Sequence, residues 1–172
     1  MGPNFPTIIN VCSAHRNQGK TQLVMRIVKG LTGEGFKVGT IKHIGAESSF
    51  DSPKIKDTAR HAEAGAKLVV AVTKFELISM NKSEKPTLES AIQKFSKDYD
   101  FIIIEGFKKS TYPRFIIIDK AEEIHGLINT GQILGITGNI SRKRDELIKL
   151  DKIYPVVDEK DKESLLLIAK NL

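Results

Sequence analysis

The chain has 172 residues, of which 40% are hydrophobic and 28% charged, and its formal net charge is +6. This length suits one domain with a full core and is short for two, so we expect a single domain over residues 1–172. The apolar runs at 101–104 and 115–118 have the length of strands and fall far short of a membrane span. A single cysteine, Cys12, excludes an internal disulfide framework and a cysteine-based zinc site.

The start of the sequence and its charge bear on localisation and partners. The sequence does not open with a charged segment followed by an apolar stretch, so we expect a cytoplasmic protein with no membrane association. The lysine-rich positive charge favours anionic partners, namely nucleotides, phosphorylated metabolites or nucleic acid. A solvated lysine surface is the alternative interpretation.

Apolar residues recur along the chain with the periodicities of alternating strands and helices. In chain order the pattern predicts a strand at 7–13, a helix from residue 20 that closes at Gly33 and Gly35, a strand at 36–43, a helix at 57–66, two strands or a hairpin at 67–80, a helix at 86–99, strands at 100–107, 114–119 and 132–139, and a helix at 161–172. Continuous apolar strands are typical of strands buried on both faces. We therefore expect an α/β fold with a mostly parallel sheet flanked by helices, to which the hairpin would add an antiparallel extension.

Residues 14–21, AHRNQGKT, follow the first predicted strand and open the first predicted helix. This context is that of a phosphate-binding P-loop, so we predict a fold of the P-loop NTPase type. Backbone N–H groups and the positive end of the helix would replace water around phosphate oxygens. Gly19 supplies unusual backbone angles, Lys20 would reach the β- and γ-phosphates, and Thr21 would ligate Mg²⁺. The other loop residues expected to line the site are Arg16, Asn17, Gln18 and Gln22.

Ala14 stands at the position where the usual P-loop pattern has glycine. If this position needs a negative φ, alanine costs nothing, whereas a positive φ would cost about 1 kcal/mol, which does not abolish a site. We therefore expect a working phosphate site, and an ordinary tight turn is the alternative.

A P-loop needs an acidic partner for magnesium, usually at the end of a neighbouring buried strand. Four apolar residues precede Glu105, which places this carboxylate at the edge where ligands bind in open α/β sheets. Lys20 and Glu105 are predicted to be the catalytic residues, and Thr21, Asp57 and Glu105 are predicted to hold the metal. Asp51 is a weaker candidate, because aspartate is also common in turns.

Four motifs follow one another along the chain: RNQGKT in the loop, GTIKH at the end of the second strand, DSPKIKDTARHAEAGA around the next helix, and IIIEGFKK around Glu105. Over roughly residues 7–118 they resemble the molybdopterin-guanine dinucleotide biosynthesis adaptor family, MobB. The resemblance implies a GTP-binding homodimer of the molybdenum cofactor pathway. Such a protein would bind molybdopterin and assist a MobA-type nucleotidyltransferase in attaching GMP to it. The resemblance also implies a weak Mg²⁺-dependent GTPase and a position for His43 near the nucleotide.

Guanine-specific sites commonly carry an N-K-x-D motif after a late strand, and its carboxylate accepts hydrogen bonds from N1 and N2 of the base. The strand at 132–139 ends here at Asn139, which offers a carbonyl oxygen but no charge. Guanine selectivity should therefore be weaker or come from elsewhere, and the preference for GTP over ATP is implied by the resemblance alone. The segment TKFE at 73–76 imitates the motif within strand-like sequence, and we interpret it as structural.

Rapid hydrolysis needs a group that orients the attacking water and usually an arginine that stabilises charge on the transferred phosphate. Arg16 lies in the loop and could point at the phosphates, but an exposed loop arginine is more often solvated, and neither Gln18 nor Gln22 is clearly placed for the water. We therefore expect slow intrinsic turnover.

Basic residues follow two of the strands at the predicted ligand face, where they would suit a phosphorylated pterin or a nucleotide tail. They are Lys42, His43, Lys54, Lys56, Arg60 and His61 after the second strand, and Lys108, Lys109 and Arg114 after Glu105. Solvated loop lysines are the alternative interpretation.

Two other classes of function remain open for a basic chain with a P-loop. One is another P-loop enzyme: a small-molecule kinase would want an arginine-rich lid, and a metal-insertion GTPase would want a His/Cys cluster, but neither is evident. The other is a nucleic-acid-binding module. Aromatic residues make up only 6% of the chain, so stacking platforms for bases are not expected and we predict no nucleic-acid partner.

Overall fold

The computed structural model describes residues 5–45, 56–81, 86–95, 97–128, 131–150 and 154–172. The strands are β1 (Thr7–Ser13), β2 (Val38–Lys42), β3 (Leu68–Val72), β4 (Leu77–Asn81), β5 (Phe101–Glu105), β6 (Arg114–Ile117) and β7 (Ile133–Thr137). The helices are α1 (Lys20–Gly33), α2 (Lys56–Glu63), α3 (Leu88–Phe95), α4 (Arg144–Leu150) and α5 (Lys162–Lys170). Short 3₁₀ turns cover Ala121–Gly126 after β6 and Asn139–Arg142 after β7.

The chain divides into two compact units, one made of Met1–His43 with Leu88–Leu172 and the other of Ile44–Thr87. The first unit holds a five-stranded sheet, and the second holds α2 with the β3–β4 hairpin. The expectation of one domain over residues 1–172 stays a prediction. No helix in the described ranges is both long and apolar enough to cross a membrane.

The five-stranded sheet has the order β2-β5-β1-β6-β7, and each pair of neighbouring strands is parallel. This confirms the predicted parallel sheet of an α/β fold. The strand β1 lies at the centre, where Val11 is in register with Glu105 of β5 and Ser13 with Ile117 of β6. The carboxyl ends of these strands therefore meet at one edge of the sheet, beside the loop that follows β1.

Burial follows the apolar patterns of the sequence. All five residues of β5 and all four of β6 are buried. On α1 the residues Leu23, Ile27 and Leu31, spaced one helical turn apart, have no exposed surface and pack in the same cluster as Leu165 of α5. Cys12 is buried as well, and this burial raises the pKa of its thiol above the ordinary value.

The second unit confirms the predicted hairpin. The strands β3 and β4 pair antiparallel, with Val72 opposite Leu77. The intervening TKFE segment is their turn: the backbone N–H of Thr73 donates to the carbonyl of Glu76 at 2.8 Å, and the Thr73 hydroxyl accepts from the N–H of Glu76 at 2.9 Å. The structural interpretation of this segment is therefore confirmed.

Candidate functional site

The loop between β1 and α1 adopts the backbone conformation expected from its residue types. Gly19 has a φ of 89° and Asn17 a φ of 61°. Glycine enters this left-handed region without steric cost, and asparagine is enriched there. Ala14 lies outside this region, since Asn17 and Phe107 are the described non-glycine residues with positive φ. Alanine at the first position of the loop therefore carries no backbone penalty.

Gln18 ties the loop to the end of β6. Its side-chain oxygen accepts from the backbone N–H of His15 at 2.6 Å. Its amide nitrogen donates to the carboxylates of Asp119 and Glu123, both at 3.0 Å. Both the oxygen and the nitrogen of the Gln18 amide are therefore used in hydrogen bonds that hold the loop.

Lys20 is the first residue of α1, and its ammonium group lies inside the loop. Its Nζ donates to the Ser13 hydroxyl at 2.7 Å and to the carbonyl of His15 at 3.2 Å. Partial burial lowers the pKa of Lys20 from its ordinary value, an effect that Glu105 opposes and the nearby Lys108 reinforces. The ammonium is thus held where the loop would enclose a phosphate.

Thr21 and Glu105, the residues predicted to hold a metal together with Asp57, are in hydrogen-bond contact. The Thr21 hydroxyl donates to Glu105 Oε1 at 3.0 Å, although the two residues lie on α1 and β5. Lys42 Nζ lies 3.1 Å from the same carboxylate oxygen and 3.5 Å from the Thr21 hydroxyl. A hydroxyl and a carboxylate are the hard oxygen donors that Mg²⁺ prefers, so these two side chains fit the metal that a P-loop requires.

An open cleft of about 430 Å³ lies over this part of the loop and gathers most of the predicted residues. It is lined by Arg16, Asn17, Gly19, Lys20, Thr21, Gln22, Lys42 and Glu105. Arg16 is exposed, in agreement with the expectation that it is solvated. The positive side chains on its rim give the cleft a potential that suits an anion.

His43 lies next to Glu105 rather than in this cleft lining. Its backbone N–H donates to the Glu105 carbonyl at 2.9 Å, and its ring packs edge-on against Phe107 with centroids 4.9 Å apart. Asp57 falls within α2, but its side chain lies outside the described residues, as does the whole of Asp51. Metal binding by Asp57 therefore stays a prediction.

Asn139 lies on the opposite side of β1 from Glu105. Its Nδ2 donates to Asp119 Oδ1 at 2.8 Å, joining the end of β7 to the end of β6. The hydrogen bonds from Gln18 first, and then from Asn139, lower the pKa of the Asp119 carboxyl below its ordinary value. Sequence reasoning missed Asp119, whose position after the apolar run at 115–118 parallels that of Glu105 after its own run.

Arg114 was expected among the basic residues of the ligand face, and this prediction is wrong. It begins β6 inside the protein with no exposed surface, and its guanidinium donates to the carbonyls of Lys108 at 3.0 Å, Leu127 at 3.3 Å and Ser110. The residue pins the β5–β6 loop, because a buried cation needs such acceptors. Lys108 and Lys109 of that loop are exposed, and Lys108 Nζ donates to the carbonyl of Ala14 at 2.5 Å.

The remaining basic residues after β2 belong to the second unit or to its start. Arg60 and His61 lie in the last turn of α2. Lys54 and the side chain of Lys56 fall outside the described residues. The contribution of these four residues to a ligand face therefore stays a prediction.

Together, the parallel sheet order, the loop after the central strand and the Gly-Lys-Thr start of α1 define an α/β protein of the P-loop NTPase type. The family model described as "MobB: Molybdopterin guanine dinucleotide synthesis protein B" matches residues 8–137. The chain therefore belongs to the MobB family, as the sequence motifs indicated.

Individual relatives agree with this assignment. The chain is 30% identical over 134 residues to a "Probable molybdopterin-guanine dinucleotide biosynthesis adapter protein" of Bacillus subtilis (strain 168), covering 77% of this chain and 75% of that protein. A crystal structure of Bacillus subtilis MobB is similar with a TM-score of 0.74 and 25% identity, covering 98% of each chain. Another, of a molybdopterin-guanine biosynthesis protein B, gives a TM-score of 0.74 at 22% identity over 95% of this chain and 97% of that one.

Proposed function

We propose that this chain binds GTP with Mg²⁺ at the loop between β1 and α1 and acts as an adapter in the biosynthesis of molybdopterin guanine dinucleotide. The observation that carries the proposal is the 3.0 Å contact between the Thr21 hydroxyl and Glu105 beside the Lys20 ammonium. This contact joins the end of the P-loop to an acidic strand end, the two parts that hold Mg²⁺ and phosphate in P-loop proteins.

Each of these residues would take part in binding by its own chemistry. The N–H groups at the start of α1 and the Lys20 ammonium would bind phosphate oxygens in place of water. The Thr21 hydroxyl and the Glu105 carboxylate would hold Mg²⁺, which would supply positive charge to offset that of the phosphates. When the nucleotide enters, Lys20 would exchange its contacts with the Ser13 hydroxyl and the His15 carbonyl for contacts with the phosphates.

The adapter role is proposed from the family and from the Bacillus subtilis relative of that name. The chain would present GTP or molybdopterin to a MobA-type nucleotidyltransferase that attaches GMP to molybdopterin. The exposed Lys109 and the Lys108 and Lys42 side chains near the loop provide positive charge for a phosphorylated pterin. Addition of this chain should raise the rate of dinucleotide formation by the transferase, and an unchanged rate would contradict the adapter role.

We propose that hydrolysis of GTP by the chain alone is slow. The Gln18 amide is committed to the loop and to two carboxylates. Arg16, which would have to stabilise charge on the transferred phosphate, is exposed. A GTPase without a fixed arginine and a positioned water lacks an effect worth roughly 10³–10⁵ in rate. A steady-state turnover on the order of 10 s⁻¹, which is usual for dedicated enzymes, would contradict this part of the proposal.

The binding proposal is tested by calorimetric titration of GTP with and without Mg²⁺. Wild type should bind GTP, and omission of Mg²⁺ should weaken the affinity. Lys20→Ala should abolish the heat of binding, while Lys29→Ala, which removes an exposed lysine further along α1, should leave it unchanged. An equal loss of GTP binding in Lys20→Ala and Lys29→Ala, or no heat of GTP binding with wild type, would contradict a P-loop site for GTP.

We also propose that the chain acts as a homodimer. The hairpin exposes alternate apolar residues of β3, with Leu68, Val70 and Val72 having 57%, 46% and 75% of their surfaces accessible. Leu77 of β4 and Phe75 of the turn are exposed too. Contiguous exposed apolar residues are typical of protein interfaces. Light scattering should give twice the chain mass for wild type and a smaller mass for Val70→Lys/Val72→Lys; a wild-type monomer would contradict the dimer.

A further inference from the structure

A second cleft, of about 200 Å³, lies on the β6–β7 side of the phosphate-binding loop. It shares Asn17, Gly19 and Gln22 with the larger cleft over Lys20. Its other walls include Asp119 at the end of β6, Asn139 at the end of β7 and Asp158 beyond the short β bridge of Val156. A ligand whose phosphates occupy the larger cleft would therefore extend past Gln22 into a pocket that carries carboxylates.

Asp119 has the geometry of a fixed hydrogen-bond acceptor in this cleft. Each of its carboxylate oxygens already accepts one amide N–H, from Gln18 at 3.0 Å and from Asn139 at 2.8 Å. A carboxylate has about four lone-pair positions, so further acceptor capacity remains on both oxygens. The same hydrogen bonds lower the pKa of the Asp119 carboxyl, which keeps it charged at neutral pH.

The chemistry of the purine bases differs at the edge that a carboxylate would meet. Guanine presents two donors side by side, the N1–H and the N2 amino group, which match the two oxygens of one carboxylate. Adenine presents an acceptor at N1 and a C–H beside it, so a carboxylate there would face a lone pair. A charged carboxylate at this edge of the base therefore favours guanine, because guanine offers it two donors whereas adenine offers it a lone pair.

We propose that Asp119 is the residue that selects guanine, accepting hydrogen bonds from N1–H and N2–H₂ of the base. This inference rests on the proposed nucleotide site. Asn139, after β7, carries no charge that could select guanine. The Asp119 carboxylate, after the neighbouring strand β6, would supply that charge instead. Asn139 acts on the base through Asp119: its amide nitrogen fixes one carboxylate oxygen and thereby orients the acceptor pair.

Asp119 also supports the loop through Gln18, so a test must separate base selection from loop support. Glu123 provides the matched control, because its Oε2 accepts from the same Gln18 nitrogen at 3.0 Å, it contacts Asp119 at the backbone N–H and not at the carboxylate, and it does not belong to the cleft lining. Loss of loop support weakens every nucleoside triphosphate equally. Loss of base selection changes the ratio of the affinities for triphosphates that carry different bases.

The experiment measures dissociation constants of GTP, ATP and xanthosine triphosphate for wild type, Asp119→Asn, Asp158→Asn and Glu123→Gln. Xanthine has a carbonyl oxygen in place of the guanine amino group. This oxygen is repelled by the Asp119 carboxylate of wild type, but it can accept a hydrogen bond from the amide nitrogen of the asparagine in Asp119→Asn. We expect wild type to prefer GTP, and Asp119→Asn to weaken GTP about 10- to 100-fold while tightening xanthosine triphosphate. Glu123→Gln should shift all three constants by the same factor.

The possible failures are distinguishable. If Asp119→Asn left the ratio of the dissociation constants of GTP and xanthosine triphosphate unchanged, the inference would be overturned and the proposed GTP site would remain intact. The same would follow if the ratio moved in Asp158→Asn and not in Asp119→Asn, since the selecting carboxylate would then be Asp158. Failure of wild type to bind any of the three triphosphates would contradict both the inference and the proposed function.

Discussion

Lys42 Nζ lies 3.1 Å from Glu105 Oε1, so the side chain that ends β2 places a positive charge beside the carboxylate proposed to hold Mg²⁺. The ammonium is also 3.5 Å from the Thr21 hydroxyl, the second proposed metal ligand. Lys42 and a metal ion would therefore occupy overlapping space and compete for the same oxygen atoms. This relationship gives the metal site a measurable dependence on a residue that is not a ligand.

Replacing Lys42 by methionine should raise the affinity for Mg²⁺. The lysine side chain is 54% exposed, and exposed ion pairs are typically worth about 0.2–1 kcal/mol, so we expect an effect of about 1.4- to five-fold. The measurement is the Mg²⁺ concentration at half-maximal GTP binding, with Lys29→Met as the control. A higher Mg²⁺ requirement in Lys42→Met would contradict competition and would indicate that Lys42 binds phosphate instead.

Replacing Arg114 by methionine should destabilise the fold. The substitution leaves the carbonyls of Lys108 and Leu127 without their buried donor, and each such loss costs about 1–3 kcal/mol. We expect denaturant unfolding to show a loss of about 2–4 kcal/mol. Lys109→Met removes an exposed charge from the adjacent loop and should stay within about 0.5 kcal/mol of wild type. Equal stability of the two variants would show that Arg114 does not anchor the loop.

Asp119 should make the stability of the protein depend on pH below neutrality. Because its pKa is lower in the folded state than the ordinary value of about 3.9, its stabilising contribution is complete above that value. The contribution is lost as the pH falls through the lowered folded-state pKa. The free energy of unfolding should therefore differ most between wild type and Asp119→Asn near pH 6, and the difference should shrink toward pH 3. A difference that grows on acidification would contradict the lowered pKa.

The parts of the site that could be predicted from the sequence are those encoded in short continuous segments. Gly19, Lys20 and Thr21 follow a strand and open a helix, so their roles follow from spacing alone. Glu105 ends an apolar run, and the parallel arrangement places that end beside the loop, where it contacts Thr21. The β3–β4 hairpin was predictable for the same reason, because its two strands are adjacent in the chain.

The parts that could not be predicted depend on residues brought together from distant positions. Asp119 meets Gln18 across about one hundred residues of sequence, and nothing local marks either side chain as a partner of the other. Arg114 was predicted to be an exposed loop residue because arginine is usually exposed. It is instead the first residue of β6, and its buried guanidinium donates to three backbone carbonyls. A polar residue that directly follows a buried apolar run was the available signal for Asp119 as well as for Glu105.

Thermal unfolding of wild type and Lys20→Ala with GTP and Mg²⁺ shows directly whether the loop after β1 binds GTP. A ligand at 100 times its dissociation constant stabilises the folded state by about 2.7 kcal/mol, which is roughly 5–11 °C for a domain of this size. We expect such a shift for wild type with GTP and Mg²⁺, and none for Lys20→Ala. An absent shift in wild type, or an equal shift in Lys20→Ala, would contradict a GTP site at the loop after β1.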